Sequence, residues 1–161
     1  MSQLSKERKE KVITDLFMKV HGKAVAASKI PREFGTGEEL FSSEIHTIYY
    51  IGVNKGVNLT ELSNFMEISK AAASKFVNKM HKKGYIIKEN NPVNKKEIVL
   101  VLSEKGKKAF DSHEVYHSDI YDKIKELLDK YGEKEIETII KFLLDVDEYF
   151  LRERAANKKE V

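Results

Sequence analysis

A basic helix followed by two short strands is the feature that most constrains the fold of this chain. The helix begins after Ser69, a residue type that caps helix N-termini, and ends at Gly84, which tolerates the left-handed conformation of a helix C-terminus. Residues 85–88 and 97–102 then have the apolar, β-branched composition of strands, and the segment 90–94, Asn-Asn-Pro-Val-Asn, has the chemistry of a turn. The sequence therefore predicts a helix that runs directly into a β-hairpin.

Helical periodicity predicts five further helices around this unit, because apolar residues recur every three or four positions along them. Ser42 or Ser43 is the expected N-cap of the second helix. Residues 31–40 are expected to form a loop, since a proline and two glycines fall there, and residues 155–161 read as a polar tail. The predicted helices cover residues 6–28, 44–54, 59–66, 104–131 and 133–154.

The order of these elements predicts a mainly α fold with a small β-wing. Four helices, two strands and two more helices form the pattern of a winged helix-turn-helix with additional helices at its N- and C-termini. The short third helix, a tight turn and the fourth helix are the expected DNA-reading pair, and the hairpin is the wing. We expect residues 1–161 to form one fold of this kind, with the winged helix-turn-helix core at residues 43–102.

Positive charge is concentrated on the fourth helix and the wing. Residues 69–96 contain eight lysines and one acid, Glu89, so this segment has a net charge of +7 while the whole chain has only +3. The remainder of the chain is therefore acidic, at −4. A basic segment on an acidic body is typical of nucleic-acid binding, because lysines displace the counterions around phosphates. A solvated, lysine-rich helix face is the alternative interpretation.

The predicted DNA contacts lie on one face of the fourth helix and along the wing. Ala73, Val77 and Met80 are expected to point inward, so the 100° step of a helix turns small, amide and basic side chains outward. Serine and asparagine can hydrogen-bond to base edges, lysine can contact guanine or phosphate, and a basic wing tip suits the minor groove. The predicted contacts are Ser69, Lys70, Ala71, Ser74, Lys75, Asn78, Lys79 and Lys82 on the helix, flanked by Lys83, and Lys88, Asn91, Asn94, Lys95 and Lys96 on the wing. A partner-binding surface helix and a merely soluble turn are the alternatives for these two segments.

Composition and missing motifs exclude several functional classes. No apolar run reaches the roughly 18 residues of a transmembrane helix, and the charged N-terminus lacks the apolar segment of a signal peptide, so we expect a cytoplasmic protein without membrane contact. The chain has no cysteine, which excludes disulfides, cysteine-based zinc ribbons and thiol redox switches. It has no phosphate-binding loop, nucleophile elbow, Ser-His-Asp order or dense carboxylate cluster, so we expect neither enzyme activity nor a cofactor.

Three segments resemble the MarR family of bacterial transcriptional regulators. Leu59-Thr-Glu-Leu62 and the basic stretch 68–86 look like the family's third and fourth helices and the start of its wing. Leu100-Val-Leu-Ser-Glu-Lys-Gly106 is similar to the family's Leu-Thr-x-x-Gly at the start of helix five. The family wing reads Asp-x-x-Asp-x-Arg, whereas residues 91–96 read Asn-Pro-Val-Asn-Lys-Lys. The buttressing Asp–Arg pair is therefore missing, which bears on the rigidity of the wing and not on the fold.

The resemblance implies a homodimeric repressor that binds a pseudo-palindromic duplex site, with its two recognition helices about one turn of DNA apart. The dimerisation helices would lie in residues 1–30 and 104–154. The sequence supports a dimer independently, because the apolar stripes of the end helices exceed what a monomer of this size needs. Family members commonly place a small effector between helices one, two and five. The residues expected near that pocket are Leu16, Phe17, Val20, His46, Tyr49, Tyr50 and His117.

Two further motifs point to different effectors within the family. Residues 44–52, Glu-Ile-His-Thr-Ile-Tyr-Tyr-Ile-Gly, look like the second helix of FabT-type regulators of fatty-acid synthesis. His113 and His117 are one helical turn apart and match in position the paired histidines of zinc-sensing AdcR-type members. Those members also use a cysteine, so a third ligand here would have to be His46, Glu44 or Glu114. Ordinary histidines on a polar helix face, and a winged-helix module that binds protein or RNA, are the alternatives.

Overall fold

The structure is a computed structural model that describes residues 5–95 and 97–157. It contains two compact units, Met1–Val115 and Tyr116–Val161. The elements confirm the predicted class, a mainly α fold with a small β-wing and additional helices at both ends. In chain order they are α1 (Lys6–Ser28), β1 (Arg32–Glu33), β2 (Glu39–Leu40), α2 (Ser42–Val53), β3 (Val57–Asn58), α3 (Leu59–Met66), α4 (Lys70–Lys82), β4 (Ile86–Asn90), β5 (Ile98–Leu102), α5 (Glu104–Leu128) and α6 (Glu133–Asn157).

The first helix, α1, has the predicted bounds, and a small hairpin follows it. Ser5 caps α1 by accepting a hydrogen bond from the backbone N–H of Arg8 at its Oγ atom, at 3.4 Å. The prediction of a plain loop over residues 31–40 was wrong, since β1 and β2 pair antiparallel there. Positive φ angles of 71° at Gly35 and 75° at Gly37 let the chain reverse between strands that are only two residues long.

The second helix, α2, begins earlier than predicted and uses a different cap. Its helical residues start at Ser42, and Phe41 occupies the N-cap position, so the prediction of Ser42 or Ser43 as the cap was wrong. The carboxylate of Glu44 accepts a hydrogen bond from the backbone N–H of the N-cap residue Phe41, at 3.0 Å, whereas the expected serine hydroxyl would have accepted an N–H inside the first turn. The residues of α2 that are buried are Glu44, Ile45, Thr47, Ile48 and Ile51.

A three-stranded antiparallel sheet forms the wing and joins it to the rest of the first unit. Its strand order is β3–β5–β4, so the central strand β5 pairs on one side with β3 and on the other with all five residues of β4. The two-residue strand β3 was not predicted. The strand β4 extends to Asn90, two residues beyond its predicted end.

The core of the first unit includes residues of α2, α3, α4 and the sheet. Asn58 and Glu61 form a reciprocal cap at the start of α3, in which each side chain accepts the other's backbone N–H at 2.9 Å. Glu67 ends α3 in the left-handed conformation, with φ of 57°, and so makes the tight turn before α4. Each large apolar side chain buried here stabilises the fold by about 1.5–3 kcal/mol. The buried apolar residues of these elements are Ile45, Ile48, Ile51, Val57, Leu62, Ala73, Val77, Met80, Ile86, Val99 and Leu100.

The turn after α4 is in direct backbone contact with the first turn of α5. A Cβ atom on Gly106 would lie 2.2 Å from the carbonyl oxygen of Tyr85, so only glycine fits there without displacing the backbone. The Ser103 hydroxyl donates to the carbonyl of Gly84 and accepts the N–H of Gly106 at 3.0 Å. Lys105 adds a cation–π contact, with its Nζ atom 4.4 Å from the centroid of the buried Tyr85 ring.

The second unit contains the later part of α5 and the whole of α6. The helix α5 ends at Leu128, three residues before its predicted end, and Gly132 separates it from α6. Residues 155–157, expected to belong to a polar tail, continue α6, and residues 158–161 lie outside the described part of the chain. No α6 side chain that the structure describes is buried. Among the described residues, no helix has the length and apolar character needed to cross a membrane.

Candidate nucleic-acid interface

The helix α4 has one buried face and one basic, exposed face. Ala73, Val77 and Met80 are at most 2 % exposed, as the helical period predicts, and they fix the opposite face toward solvent. Ser69 is the N-cap, and its Oγ atom accepts the Ala72 N–H at 3.2 Å. The exposed residues on the remaining face are Lys70, Ala71, Lys75, Asn78, Lys79 and Lys82, with Ser74 half-buried among them. Their contact with DNA stays a prediction.

Basic side chains on the second half of α4 line an open cleft of about 510 Å³. Its lining combines four ammonium groups with one amide, a composition suited to phosphate oxygens and base edges. The sequence predicted that these residues share a surface but not that the surface is concave. The residues that line the cleft are Lys75, Asn78, Lys79, Lys82 and Lys83.

A buried carboxylate on α2 holds two of these lysines in place. Glu44 is 1 % exposed, and its Oε1 atom lies 2.9 Å from Lys79 Nζ and 2.8 Å from Lys83 Nζ. Burial acts to raise the pKa of the Glu44 carboxyl, but hydrogen bonds from Lys83, the Phe41 backbone and Lys79 outweigh burial, and the pKa lies below its ordinary value. Lys79 and Lys83, predicted as phosphate contacts, are therefore anchored at α2 while keeping part of their surface open to solvent.

The wing is braced by a glutamate and two asparagines, where the resemblance led us to expect an Asp–Arg pair. Glu97 Oε1 accepts from Asn58 Nδ2 and Glu97 Oε2 accepts from Asn91 Nδ2, both at 2.7 Å. Asn91 Oδ1 in turn accepts the backbone N–H of Val93 at 2.9 Å and of Asn94 at 3.4 Å. This hydrogen-bond network supports both ends of the wing turn, although the Asp–Arg pair of the family is missing.

The structure separates the predicted wing residues into two groups. Lys88 reaches back to α4, where its Nζ atom donates to Asn78 Oδ1 at 2.5 Å, and Asn91 points inward to Glu97. Asn94 and Lys95 are exposed at the turn, and they are the predicted DNA contacts that the structure describes at the wing tip. Lys96, also predicted to contact DNA, lies outside the described residues.

The residues expected around an effector pocket are only partly brought together. Tyr49 lies with its ring centroid 5.7 Å from that of Phe110 and 5.3 Å from that of His113. The ring of Tyr50 stacks on Phe65 of α3, with the two ring centroids 4.0 Å apart, and is therefore separate from the cluster around Tyr49.

The three residues of this set on α1 are at the surface. Leu16 and Val20 are 53 % and 65 % exposed, and Phe17 is half-buried with its ring stacked on His21. The remaining member, His117, belongs to the second unit. The first unit therefore supplies an aromatic cluster at α2 and the start of α5. The α1 residues expected to line a pocket beside it are not buried.

Two of the candidate metal ligands approach each other within the first unit. The rings of His46 and His113 have centroids 5.5 Å apart, and one nitrogen of each lies within 4.8 Å of the other. His117 follows His113 by one turn, so its side chain leaves the same face of α5. Glu44, considered as a third ligand, is instead bonded to Lys79 and Lys83.

Comparison with known sequences identifies the segment that carries this surface. The model of the MarR family matches residues 40–98, which run from the end of β2 to the start of β5. The regulator YhjH of Bacillus subtilis, described as an uncharacterized HTH-type transcriptional regulator, is 31% identical over 108 residues, or 67% of this chain and 62% of YhjH. The HTH-type transcriptional regulator PchR of the same organism is 32% identical over 101 residues, or 63% of this chain and 60% of PchR. The chain thus spans less than two thirds of the length of these curated relatives.

Solved structures share the fold over most of the chain. Streptococcus pneumoniae FabT, determined in complex with DNA, is 20% identical with a TM-score of 0.67, over 91% of this chain and 97% of FabT. Lactococcus lactis ZitR, a zinc-responsive MarR family member, is 20% identical with a TM-score of 0.70, over 88% of this chain and 98% of ZitR. At these identities the likeness shows the fold alone. The family match over residues 40–98 therefore identifies the winged helix-turn-helix segment of this chain as that of the MarR family.

Proposed function

We propose that this protein is a DNA-binding transcriptional regulator, a homodimeric repressor that acts in the cytoplasm on a pseudo-palindromic duplex site. The observation that carries the proposal is the exposed basic face of α4, with its cleft lined by four lysines and Asn78, next to the wing. Lysines in this arrangement bind phosphates, and an amide among them can read base edges. FabT and ZitR were both determined in complex with DNA, which supports the same role here.

Unpartnered apolar side chains support the homodimer. The helix α1 has no buried residue, although Leu16 and Val20 project from it, and α6 exposes more than half of Leu143 and Leu144. Water contact at so many apolar side chains is unfavourable, and a second copy of the chain would cover them in a two-fold arrangement. The two copies would present two α4 helices to successive turns of the duplex.

The proposal is tested by selecting duplexes from a random-sequence pool and measuring affinity at two salt concentrations. We expect one preferred site with two-fold symmetry and an affinity that falls steeply with salt, because each lysine–phosphate contact releases a counterion. Weak, salt-independent binding to every duplex would refute the regulator. Tighter binding to the RNA version of the pool would favour the alternative of an RNA-binding module. A module that binds another protein would need an apolar surface where this cleft has lysines.

A second candidate concerns the effector, and it rests on the approach of His46 and His113. We propose that Zn²⁺ binds these two histidines, since imidazole nitrogens suit this ion. Bound zinc would hold α2 and the start of α5 together. A small apolar or acyl effector beside Tyr49 and Phe110 is the other version of the proposal, and either would act only by binding DNA-competent and DNA-incompetent states differently.

A further inference from the structure

Asn78 and Lys88 form a pair that joins the basic face of α4 to the wing. The Nζ atom of Lys88 lies 2.5 Å from Oδ1 of Asn78, and both side chains are exposed beside the cleft. Asn78 itself lines that cleft. The pair therefore stands on the surface that a duplex would meet.

The backbone of β4 places Lys88 at this point. Side chains alternate along a strand, so Lys88 leaves β4 on the same side as Ile86, which is buried. A hydrogen bond from His81 Nδ1 of α4 to the carbonyl of Ile86, at 2.7 Å, fixes the start of the strand against the helix. The two-residue step from Ile86 then brings the lysine alongside Asn78, one turn before His81 on α4.

The chemistry of the pair fixes which way the amide points. A lysine ammonium has three donors and no acceptor, so the Asn78 atom that faces it has to be the oxygen. The amide NH2 group is then turned away from Lys88, on a side chain that lines the cleft. Asn78 consequently offers its two N–H donors to a ligand while its oxygen is directed at Lys88, and Lys88 contributes its remaining N–H donors beside it.

We infer that the Asn78–Lys88 pair reads guanine, at one position in each half of the duplex site. Guanine presents two acceptors in the major groove, O6 and N7, whereas the usual contact of asparagine with adenine needs the amide oxygen to face the N6 amino group, and here that oxygen faces Lys88. Lys88 acts here as a positioning residue, because it sets the donor character of Asn78. The inference rests on the proposed function and names the base that the same surface selects.

The test is selection from a random duplex pool by the full-length protein and by three variants. In Lys88→Met the ammonium is lost while the side-chain length is kept, and Asn78→Ala removes the amide. Lys95→Met makes the same charge change at the wing tip, away from Asn78, and serves as the matched control. Both lysines are exposed, so all variants should melt at nearly the temperature of the parent protein.

We expect the parent protein to require guanine at one position per half-site, and Asn78→Ala to lose that requirement. Lys88→Met should shift the preference at that position toward adenine, because the amide can then rotate its oxygen toward N6. Replacing the guanine by 7-deazaguanine, which lacks the N7 acceptor, should weaken parent binding by roughly 5-fold to 100-fold. Lys95→Met should weaken binding without changing the preferred base.

Failure of this inference is distinguishable from failure of the proposed function. A parent protein that selects no duplex sequence refutes the regulator itself. A parent protein that selects a symmetric site, but prefers adenine at the position governed by Asn78 or keeps guanine there after Lys88→Met, overturns the guanine assignment and leaves the regulator standing.

Discussion

Lys83 Nζ lies 2.8 Å from the carboxylate of Glu44, and this ion pair ties the C-terminal end of α4 to the first turn of α2. The carboxylate is buried, whereas the lysine keeps about a third of its side chain exposed. A second ammonium, that of Lys79, shares the same oxygen. One acid on α2 therefore sets the direction of two cations on the candidate DNA surface.

Replacing Glu44 by glutamine should destabilise the protein. Oε1 of Glu44 now contacts both lysines while Oε2 accepts the Phe41 N–H, so the one oxygen of a glutamine can serve only one of these two sides. Its buried NH2 group gains no acceptor among the contacts that Glu44 now makes. We expect the free energy of unfolding to fall by about 1–3 kcal/mol, measured by urea denaturation. Glu39→Gln, an exposed glutamate on β2, is the control and should change it by less than about 0.5 kcal/mol. Equal losses in the two variants would show that the lysine anchor contributes nothing.

Replacing Glu97 by glutamine should loosen the wing. One of its two oxygens becomes an NH2 group that cannot accept from Asn58 or Asn91, so we expect faster amide hydrogen exchange at Val93 and Asn94. DNA affinity should fall by about 1 kcal/mol, although the substitution removes a negative charge. The control Glu89→Gln makes the same charge change on β4 outside this network and should leave affinity unchanged or raise it. Matching affinities for the two variants would argue against the brace.

Asn78 and the wing-tip lysines should affect DNA binding in different ways. Asn78→Ala should cost roughly 1–3 kcal/mol on the preferred site and relax specificity, because it removes a base contact. Lys95→Ala combined with Lys96→Ala should weaken all duplexes alike and reduce the salt dependence, since phosphate contacts carry no sequence information. Anisotropy titrations on preferred and random duplexes distinguish the two. An Asn78 variant that loses equal affinity on both duplexes would show that this face of α4 does not read bases.

The apolar face of α6 should be required for the dimer. Leu144 is 62 % exposed, so Leu144→Asp should leave the fold of a single chain intact while placing a charge in the proposed interface. We expect this variant, and a chain that ends before Glu133, to sediment as monomers. Thr138→Asp places the same charge on the opposite side of α6 and should remain dimeric. A dimer that persists in the truncated chain would place the interface elsewhere.

Zinc should tighten DNA binding if the histidines form a metal site. The expected result is a higher affinity for the preferred duplex in the presence of Zn²⁺, abolished by His46→Ala combined with His113→Ala. Isothermal titration of Zn²⁺ in the absence of DNA checks the binding step separately. If neither Zn²⁺ nor an acyl compound changes the affinity for DNA, both effector proposals fail.

Local patterns in the sequence predicted the elements that they encode, and non-local contacts escaped them. The inward face of α4 follows from the spacing of Ala73, Val77 and Met80, because helical periodicity is a property of neighbouring residues. The Glu97–Asn58 and Glu44–Lys83 contacts each join residues 39 positions apart, and no local pattern pairs them. The strands β1, β2 and β3 were missed for another reason: two residues are too few to show alternation.

The close approach of Gly106 to the Tyr85 carbonyl has a mechanical consequence. With no room for a methyl group between the two backbones, and with Ser103 hydrogen-bonded to both sides, the start of α5 and the end of α4 cannot slide past each other. A rotation of the first turn of α5 would therefore displace the backbone at Tyr85, three residues after the end of α4. We expect a signal that turns α5 to change the orientation of α4 through this contact.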